Sequence, residues 1–298
     1  MEQTTPDAAR IIGLAGIGNI GLPIALNLID GGFTVVGYRR TPEPEFAAAG
    51  GQPVSNAAAI ANQTNIAITC LPSVEALQMV ISGPDGLLSG AFGAGGILIE
   101  MSTLDVEEKA KVAALLRAHG IAMLDCPVAA SGAMLRQRKG MVFVSGEPAD
   151  AEAVGPILDA IIDTHVYVGP FGAGTRTKLV SNLLLAIHSA AAAEAMNFAR
   201  LLGLDLQTTA EVIGRGSGGS VQWDMRAKRM ASGDHDQSIG PISALLEVTR
   251  LIESAGEQQQ AARPMFNHAH QLLKTAEAEG KTDMDISWIY EVIRKSGG

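Results

Sequence analysis

Cysteine, aromatic residues and basic charge are all scarce in this sequence, and each shortage removes a class of protein. Cys70 and Cys126 are the only cysteines and no Cys-x-x-Cys spacing exists, which excludes a disulfide-built scaffold and makes a reducing, cytoplasmic setting the expectation. Lys and Arg number 22 against 31 Asp and Glu, a formal net charge of -9. A continuous basic face for nucleic acid is thereby excluded, because such binding rests on pairing phosphates with cations. No fully apolar run suits a bilayer. The nearest, "LVSNLLLAIHSAAAAEAM" from Leu179 to Met196, carries Asn182, His188 and Glu194 and reads as a buried helix, so no membrane partner is expected. The opening "MEQTTPDAAR" lacks the apolar core of a secretory signal. Repeats and low-complexity tracts are absent as well. Aromatics make up 4 % of a chain whose 47 % hydrophobic content is dominated by alanine among its aliphatic residues, a composition suited to close-packed helices and sheets rather than to disorder.

What is present is a regular alternation. Short apolar runs at Ile11 to Ala15, Phe33 to Gly37, Ile66 to Cys70, Ile97 to Glu100, Ile121 to Asp125, Met141 to Ser145 and His165 to Val168 are separated by helix-like stretches. Near-continuous apolar strands alternating with helices predict a parallel sheet covered on both faces, a Rossmann-type doubly wound α/β domain over residues 1–170. From residue 171 to 298 the helical period prevails, which predicts an all-α second domain. Its first helix, from about Thr175 to Leu202, would be roughly 40 Å long and would link the two domains. A length of 298 residues fits this two-domain division.

Between the first strand and the first helix stands "GIGNIG", in which Gly16, Gly18 and Gly21 form G-x-G-x-x-G. The first glycine permits a tight turn, the second lets a pyrophosphate approach the backbone, and the third lets helix and strand pack closely. With Ile17, Asn19 and Ile20 between them, these residues are expected to seat a dinucleotide on the helix N-terminus, where unpaired N–H groups and the helix dipole favour an anion. At the end of the second strand an acidic residue would serve the ribose hydroxyls, and none is there. Arg39, Arg40 and Thr41 stand in its place and offer guanidinium groups and a hydroxyl to a 2'-phosphate, which predicts NADP(H) as the cofactor.

Further segments, in order, make the chain resemble the β-hydroxyacid dehydrogenase family, which includes 3-hydroxyisobutyrate dehydrogenase and tartronate semialdehyde reductase. "CLPSVEAL" resembles the family's Leu-Pro loop, "EMST" its Asp-x-Ser-Thr loop, and "DCPVAASGA" its substrate-binding motif. "GAGTRTKLVSN" matches G-x-G-x-x-x-K-x-x-x-N at every fixed position. The resemblance runs over nearly the whole chain. It implies that Leu71, Pro72 and Thr103 lie beside the cofactor, and that Ser102, Ala129, Ala130, Ser131 and Gly132 face a small-molecule substrate. It also implies that Lys178 and Asn182 are catalytic and that the helical domain forms a homodimer. Independently, Lys178 and Asn182 stand four residues apart and share one helix face. A lysine ammonium beside a carbonyl stabilises a developing alkoxide and delivers its proton.

Two departures bear on the substrate. After Pro-Val the family usually has Ser-Gly, whereas this chain has Ala129-Ala130, losing a hydroxyl and gaining a methyl. Counting back from Pro264, the family's Lys-Asp pair falls on Glu247-Val248, so a cation has become an anion. The expected activity is an NADPH-dependent oxidoreductase on a small carbonyl or 3-hydroxyacid compound. Two alternatives stand beside it: an imine reductase-like enzyme, against which Lys178 counts, and a non-catalytic NADPH-sensing protein, against which Lys178 and Asn182 together count. No metal is expected, since His119, His165 and His188 are isolated and His268 and His270 point to different sides of a helix. Asp234, His235 and Asp236 read as a solvated turn. Trp223 suits either substrate packing or plain burial.

Overall fold

Strand β1 (Ile11–Ala15) shows why its residues form a buried strand: side chains alternate between two faces, and both faces are covered. Ile12 and Leu14 point into one apolar core with Val35, Ile68, Ile99 and Leu124, while Ala15, Val36, Ala67, Leu98 and Met123 enter a second. In this computed structural model, which describes residues 10–236 and 240–296, the strands from Ile11 to Asp125 build one parallel array. The opening nonapeptide therefore lies outside the described residues. Helix α1 (Gly21–Asp30) follows β1, and β2 (Thr34–Tyr38) pairs with β1 in parallel, Ile12 opposite Val35. The short α2 (Pro44–Ala48), β3 (Gln52–Pro53) and α3 (Ala57–Ala61) lead back to β4 (Ile66–Thr69) on the other side of β1. Then come α4 (Val74–Ser82), β5 (Ile97–Glu100), α5 (Val106–Ala118) and β6 (Ala122–Asp125).

The first core lies under α1, through Ile24, Ala25 and Leu28; the second lies under α3, α4 and α5, through Ile60, Leu77, Ile81 and Leu116. Starts of helices are fixed by side-chain acceptors where the sequence supplies them: Asn56 caps α3, Ser73 caps α4 and Asp105 caps α5. The start of α1 has no such cap and no acidic residue in its first turn, which matters below.

Past β6 the sheet departs from the all-parallel expectation. The segment after Asp125 forms β7 (Val128–Ala129), α6 (Gly132–Arg136) and then β8 (Met141–Ser145), which runs antiparallel to β6. The connection over residues 126–140 is long enough for a crossover, but it is spent on β7, which pairs antiparallel with β8, and on a five-residue helix that packs into the core through Leu135, so the chain turns back as a hairpin-like return. Helices α7 (Pro148–Ala153) and α8 (Gly155–Ile161) then deliver β9 (His165–Gly169) parallel to β8. The completed sheet has nine strands in the order β3-β2-β1-β4-β5-β6-β8-β7, with β9 on β8. The two-residue strands β3 and β7 are too short to leave a periodic signal in the sequence.

Helix α9 (Ala173–Leu201) is 29 residues long. The chain divides into two compact units between Lys178 and Leu179, inside α9 rather than in the loop before it. In length and composition α9 resembles a membrane span, but Ala186, Ala190, Ala193 and Met196 build the core of the second unit. That unit continues through α10 (Leu206–Ile213), α11 (Val221–Ser232), α12 (Ile242–Gln258), α13 (Pro264–Ala278) and α14 (Ile289–Ser296). Leu246, Phe266, Leu273 and Tyr290 fill its centre.

Candidate active site

The glycine loop after β1 has the geometry its sequence predicts. Gly16 takes φ +102°, a left-handed conformation that L side chains rarely adopt, and a Cβ there would collide with the Cys70 carbonyl. A Cβ on Gly21 would strike the Gly16 carbonyl, whereas one on Gly18 would meet nothing within 4 Å. Gly18 therefore borders open space, and that space faces the uncapped first turn of α1. Among the described residues no acceptor takes the N–H groups of Gly18, Asn19 or Ile20. Free donors at an uncapped helix start, without a competing acid, fit the pyrophosphate of a dinucleotide.

At the end of β2, Arg39 is ion-paired with Glu43 four residues on. Arg40 and Thr41 are exposed, and Arg40 has no ion-pair partner among the described residues. Of the two arginines that the sequence offers equally, the fold leaves Arg40 available. Next to the glycine loop, the Cys70 N–H donates to the Ala15 carbonyl at 3.0 Å and places Leu71 and Pro72 beyond it. The Leu71 N–H donates to Ser102 Oγ at 2.8 Å, so Ser102 is a buried connector between two loops, with Thr103 half-buried beside it. Ala129 and Ala130 are half-buried, Ser131 caps α6 by accepting from the Met134 N–H, and a Cβ on Gly132 would collide with the Asn19 carbonyl. The substrate-motif segment is thus packed against the cofactor loop.

A buried charge cluster that the sequence did not announce sits at the C-terminal ends of β5 and β6. Lys109, on α5, is 1 % exposed and forms ion pairs with both Glu100 and Asp125. Its Nζ also donates to the Ser102 carbonyl and to Thr175 Oγ1, each at 3.1 Å. Asp125 accepts from the Thr175 N–H at 2.8 Å, from Thr175 Oγ1 at 2.6 Å and from Ser145 Oγ at 3.2 Å. Ser145 Oγ in turn accepts from the Gly174 N–H at 2.9 Å. Burial lifts the Glu100 carboxyl above its ordinary value even against the pull of Lys109. For Lys109, burial alone would lower the ammonium, but the two carboxylates outweigh it and the net direction is upward. The signal for Lys109 was faint but present: it shares a helical face with Val112, Ala113 and Leu116, all buried. Glu100 and Asp125 lie within motifs already singled out.

Lys178 comes one turn after Thr175 on α9, half-buried, and desolvation lowers its ammonium to about 8 from 10.5. Asn182 follows at i+4, is 5 % exposed, and its side chain makes no hydrogen bond among the described residues. A lysine near neutrality and an amide with free capacity on one face are equipped to hold an oxygen and to move a proton to or from it.

Elsewhere the second unit corrects one reading and decides another. His235 is buried rather than solvated: its Nδ1 lies 2.8 Å from Ser287 Oγ and its ring meets the edge of Trp288. A sequence of small and acidic residues hid the pocket that α14 and its preceding turn provide. Residues 237–239 of that loop lie outside the described set. Trp223 is core, with its Nε1 donating to the Ala210 carbonyl at 3.0 Å. Glu247 is exposed on α12, and Val248 packs partly into the core. Among the described residues no cluster of three or more His, Cys, Asp or Glu could hold a metal.

Comparison with known proteins matches both units. The family described as the NAD binding domain of 6-phosphogluconate dehydrogenase matches residues 11–169. That described as NAD-binding of NADP-dependent 3-hydroxyisobutyrate dehydrogenase matches residues 172–293. The chain is 29 % identical over 290 residues to 2-(hydroxymethyl)glutarate dehydrogenase of Eubacterium barkeri, covering 96 % of each. It is 29 % identical over 293 residues to mitochondrial 3-hydroxyisobutyrate dehydrogenase of Homo sapiens, covering 95 % of this chain and 87 % of that one. Among solved structures, the 3-hydroxyisobutyrate dehydrogenase of Mycobacterium tuberculosis with L-serine superposes with a TM-score of 0.86 at 25 % identity, covering 96 % of this chain and 99 % of that one.

Proposed function

The chain belongs to the β-hydroxyacid dehydrogenase family, and we propose that within it this NAD(P)-dependent dehydrogenase is specific for NADP(H) and uses Lys178 as acid and base on a small carbonyl or 3-hydroxyacid substrate. The observation that carries the reading is the half-buried Lys178, its ammonium lowered to about 8, with Asn182 one turn along the same face. When bound, the nicotinamide supplies or accepts the hydride. The glycine loop and the free N–H groups at the start of α1 would hold the pyrophosphate. Arg40 and Thr41 would hold the 2'-phosphate, with Arg39 drawn aside by Glu43. In the reducing direction Lys178 gives its proton to the substrate oxygen; in the oxidising direction the neutral amine takes it back. Asn182 orients that oxygen. The carbonyl reading is favoured over an imine because a carbonyl oxygen must gain the proton that the Lys178 ammonium can give, whereas an iminium already carries its proton and its positive charge would be repelled by that ammonium.

The test is NADPH oxidation against a panel of small aldehydes, keto acids and imines. Turnover of a carbonyl compound supports the reading; NADPH binding without turnover of any compound would favour a sensor. For the cofactor, Arg40→Ala is expected to weaken NADPH binding by about 10- to 100-fold, the worth of one charge-assisted contact, and NADH binding hardly at all. Equal losses for the two cofactors in a fluorescence titration would refute the assignment.

The second unit carries its own proposal, a homodimer. Phe198, Leu201, Leu202 and Met265 are each more than half exposed, and a groove of about 410 Å³ between α9 and α13 runs past Phe198 and Met265. Exposed apolar side chains in this number mark an association surface. Phe198→Glu is expected to shift the protein from dimer to monomer in sedimentation velocity, and a wild-type protein that sediments as a monomer ends the proposal.

A further inference from the structure

We propose that Lys109, Asp125 and Thr175 form a buried brace that fixes the first turn of α9 and thereby sets the position of Lys178. The inference rests on the reading of Lys178 as acid and base; its own support is geometric.

The start of a helix leaves four backbone N–H groups without partners inside the helix. On α9 two of these are satisfied by the ends of strands. The Gly174 N–H goes to Ser145 Oγ, at the end of β8, and the Thr175 N–H goes to Asp125 Oδ2, at the end of β6. Thr175 makes the attachment double by donating its hydroxyl to Asp125 Oδ1. The approach is so close that a Cβ on Gly174 would collide with the Asp125 and Phe143 carbonyls. A carboxylate at that end of a helix is also favoured by the dipole.

Lys109 completes the brace from α5. Its ammonium pairs with Asp125, donates to Thr175 Oγ1, and reaches the Ser102 carbonyl on the other side. Without it, Asp125 and Glu100 would be two buried carboxylates with no cation between them, and Asp125 would lose the partner that fixes its orientation. Lys178 stands three residues after Thr175, on the adjoining turn of the same side of α9. Movement of the first turn therefore displaces the amine and opens it to water. Lys109 does not touch Lys178; it is a positioning residue that acts through Thr175.

The test reads Lys178 directly and needs no substrate. The full chain is trace-labelled with acetic anhydride from about pH 6 to about pH 11, a span that brackets the ordinary lysine value, and the Lys178 peptide is quantified by mass spectrometry. Wild-type Lys178 is expected to titrate at about 8. Thr175→Val keeps the shape and loses the hydroxyl; it is expected to raise that value by at least about one unit, roughly a tenfold loss of free amine at neutral pH. Thr175→Ser, which restores the hydroxyl, is expected to titrate as wild type, and Lys109→Met to move with Thr175→Val. If the Val and Ser variants titrate alike, at either value, the brace is overturned. A folded Lys109→Met with Lys178 still at about 8 removes Lys109 from it. Should Thr175→Val fail to give a cooperative melt, Ser145→Ala takes its place, with the same expected rise, and Lys178 still titrating at about 8 in that variant overturns the brace. Wild-type Lys178 titrating like a surface lysine would overturn the brace and the acid–base reading together. Absence of turnover across every carbonyl panel would count against the proposed function and leave the brace standing.

Discussion

Lys178→Ala is expected to lower turnover by about 10²- to 10⁴-fold, the usual contribution of a positioned proton donor, while NADPH binds as in the wild type. The selectivity follows from where the residue stands. The pyrophosphate seat is the glycine loop and the start of α1, and the 2'-phosphate seat is Arg40; Lys178 belongs to neither. Its pH signature has a definite sign. Reduction needs the ammonium, so kcat/KM for reduction is level below about 8 and falls roughly tenfold per pH unit above it. Oxidation needs the neutral amine, so kcat/KM for oxidation rises through the same region and then levels. Lys178→Arg is not expected to rescue oxidation, because a guanidinium stays protonated throughout. Steady-state kinetics in both directions checks this, and turnover of Lys178→Ala within tenfold of wild type would remove the residue from the chemistry.

The largest expected loss of stability belongs to Lys109→Met. Removing one partner of a buried ion-paired cluster costs about 3–5 kcal/mol, because the remaining charges stay buried without compensation. For a protein of this size that is a fall of the order of 10 °C in Tm. The dependence on pH again has a sign. Lys109 is held above its ordinary value of 10.5, so its stabilising effect is fully present below 10.5 and is lost only as pH rises through its folded value. Glu100 is also raised, from 4.5, so in the Met variant it relieves part of the penalty by taking a proton as pH falls. The gap in Tm between wild type and variant should therefore be wide at neutral pH and narrower in acid. Adding Glu100→Gln to Lys109→Met is expected to recover part of the loss by removing one of the stranded carboxylates. Calorimetry that finds Lys109→Met as stable as wild type at neutral pH would show that the cluster contributes nothing to the fold.

Much of the architecture was legible in the residues because it depends on local patterns. Apolar runs of four or five residues, such as "IIGLA" and "ILIE", are strands in the structure at those positions. "GIGNIG" takes the turn its glycines require, since the steric demand on Gly16 and Gly21 comes from backbone within a few residues and from the adjoining strand. Lys178 and Asn182 share a face because helical spacing alone places i and i+4 together. The reversal of β8 was not legible, since strand direction depends on what the intervening chain packs against. Nor was the burial of His235, whose pocket is made by Ser287 and Trp288 some fifty residues later.

Sequence by itself determined the doubly wound strand–helix alternation, the dinucleotide loop, the arginines that replace an acid after β2, and the Lys–Asn pair on a single helix. Each follows from spacing and residue chemistry inside one short segment. Tertiary structure alone decided which arginine is free, through the Arg39–Glu43 pair, and that Ser102 is a connector between loops. It also decided that Lys109, outwardly an ordinary helix lysine, sits between Glu100 and Asp125 and steadies Thr175 one turn before Lys178. The physical reason is the same in each case: charge and hydrogen-bond partners from distant strands and helices meet only after the sheet has set its register.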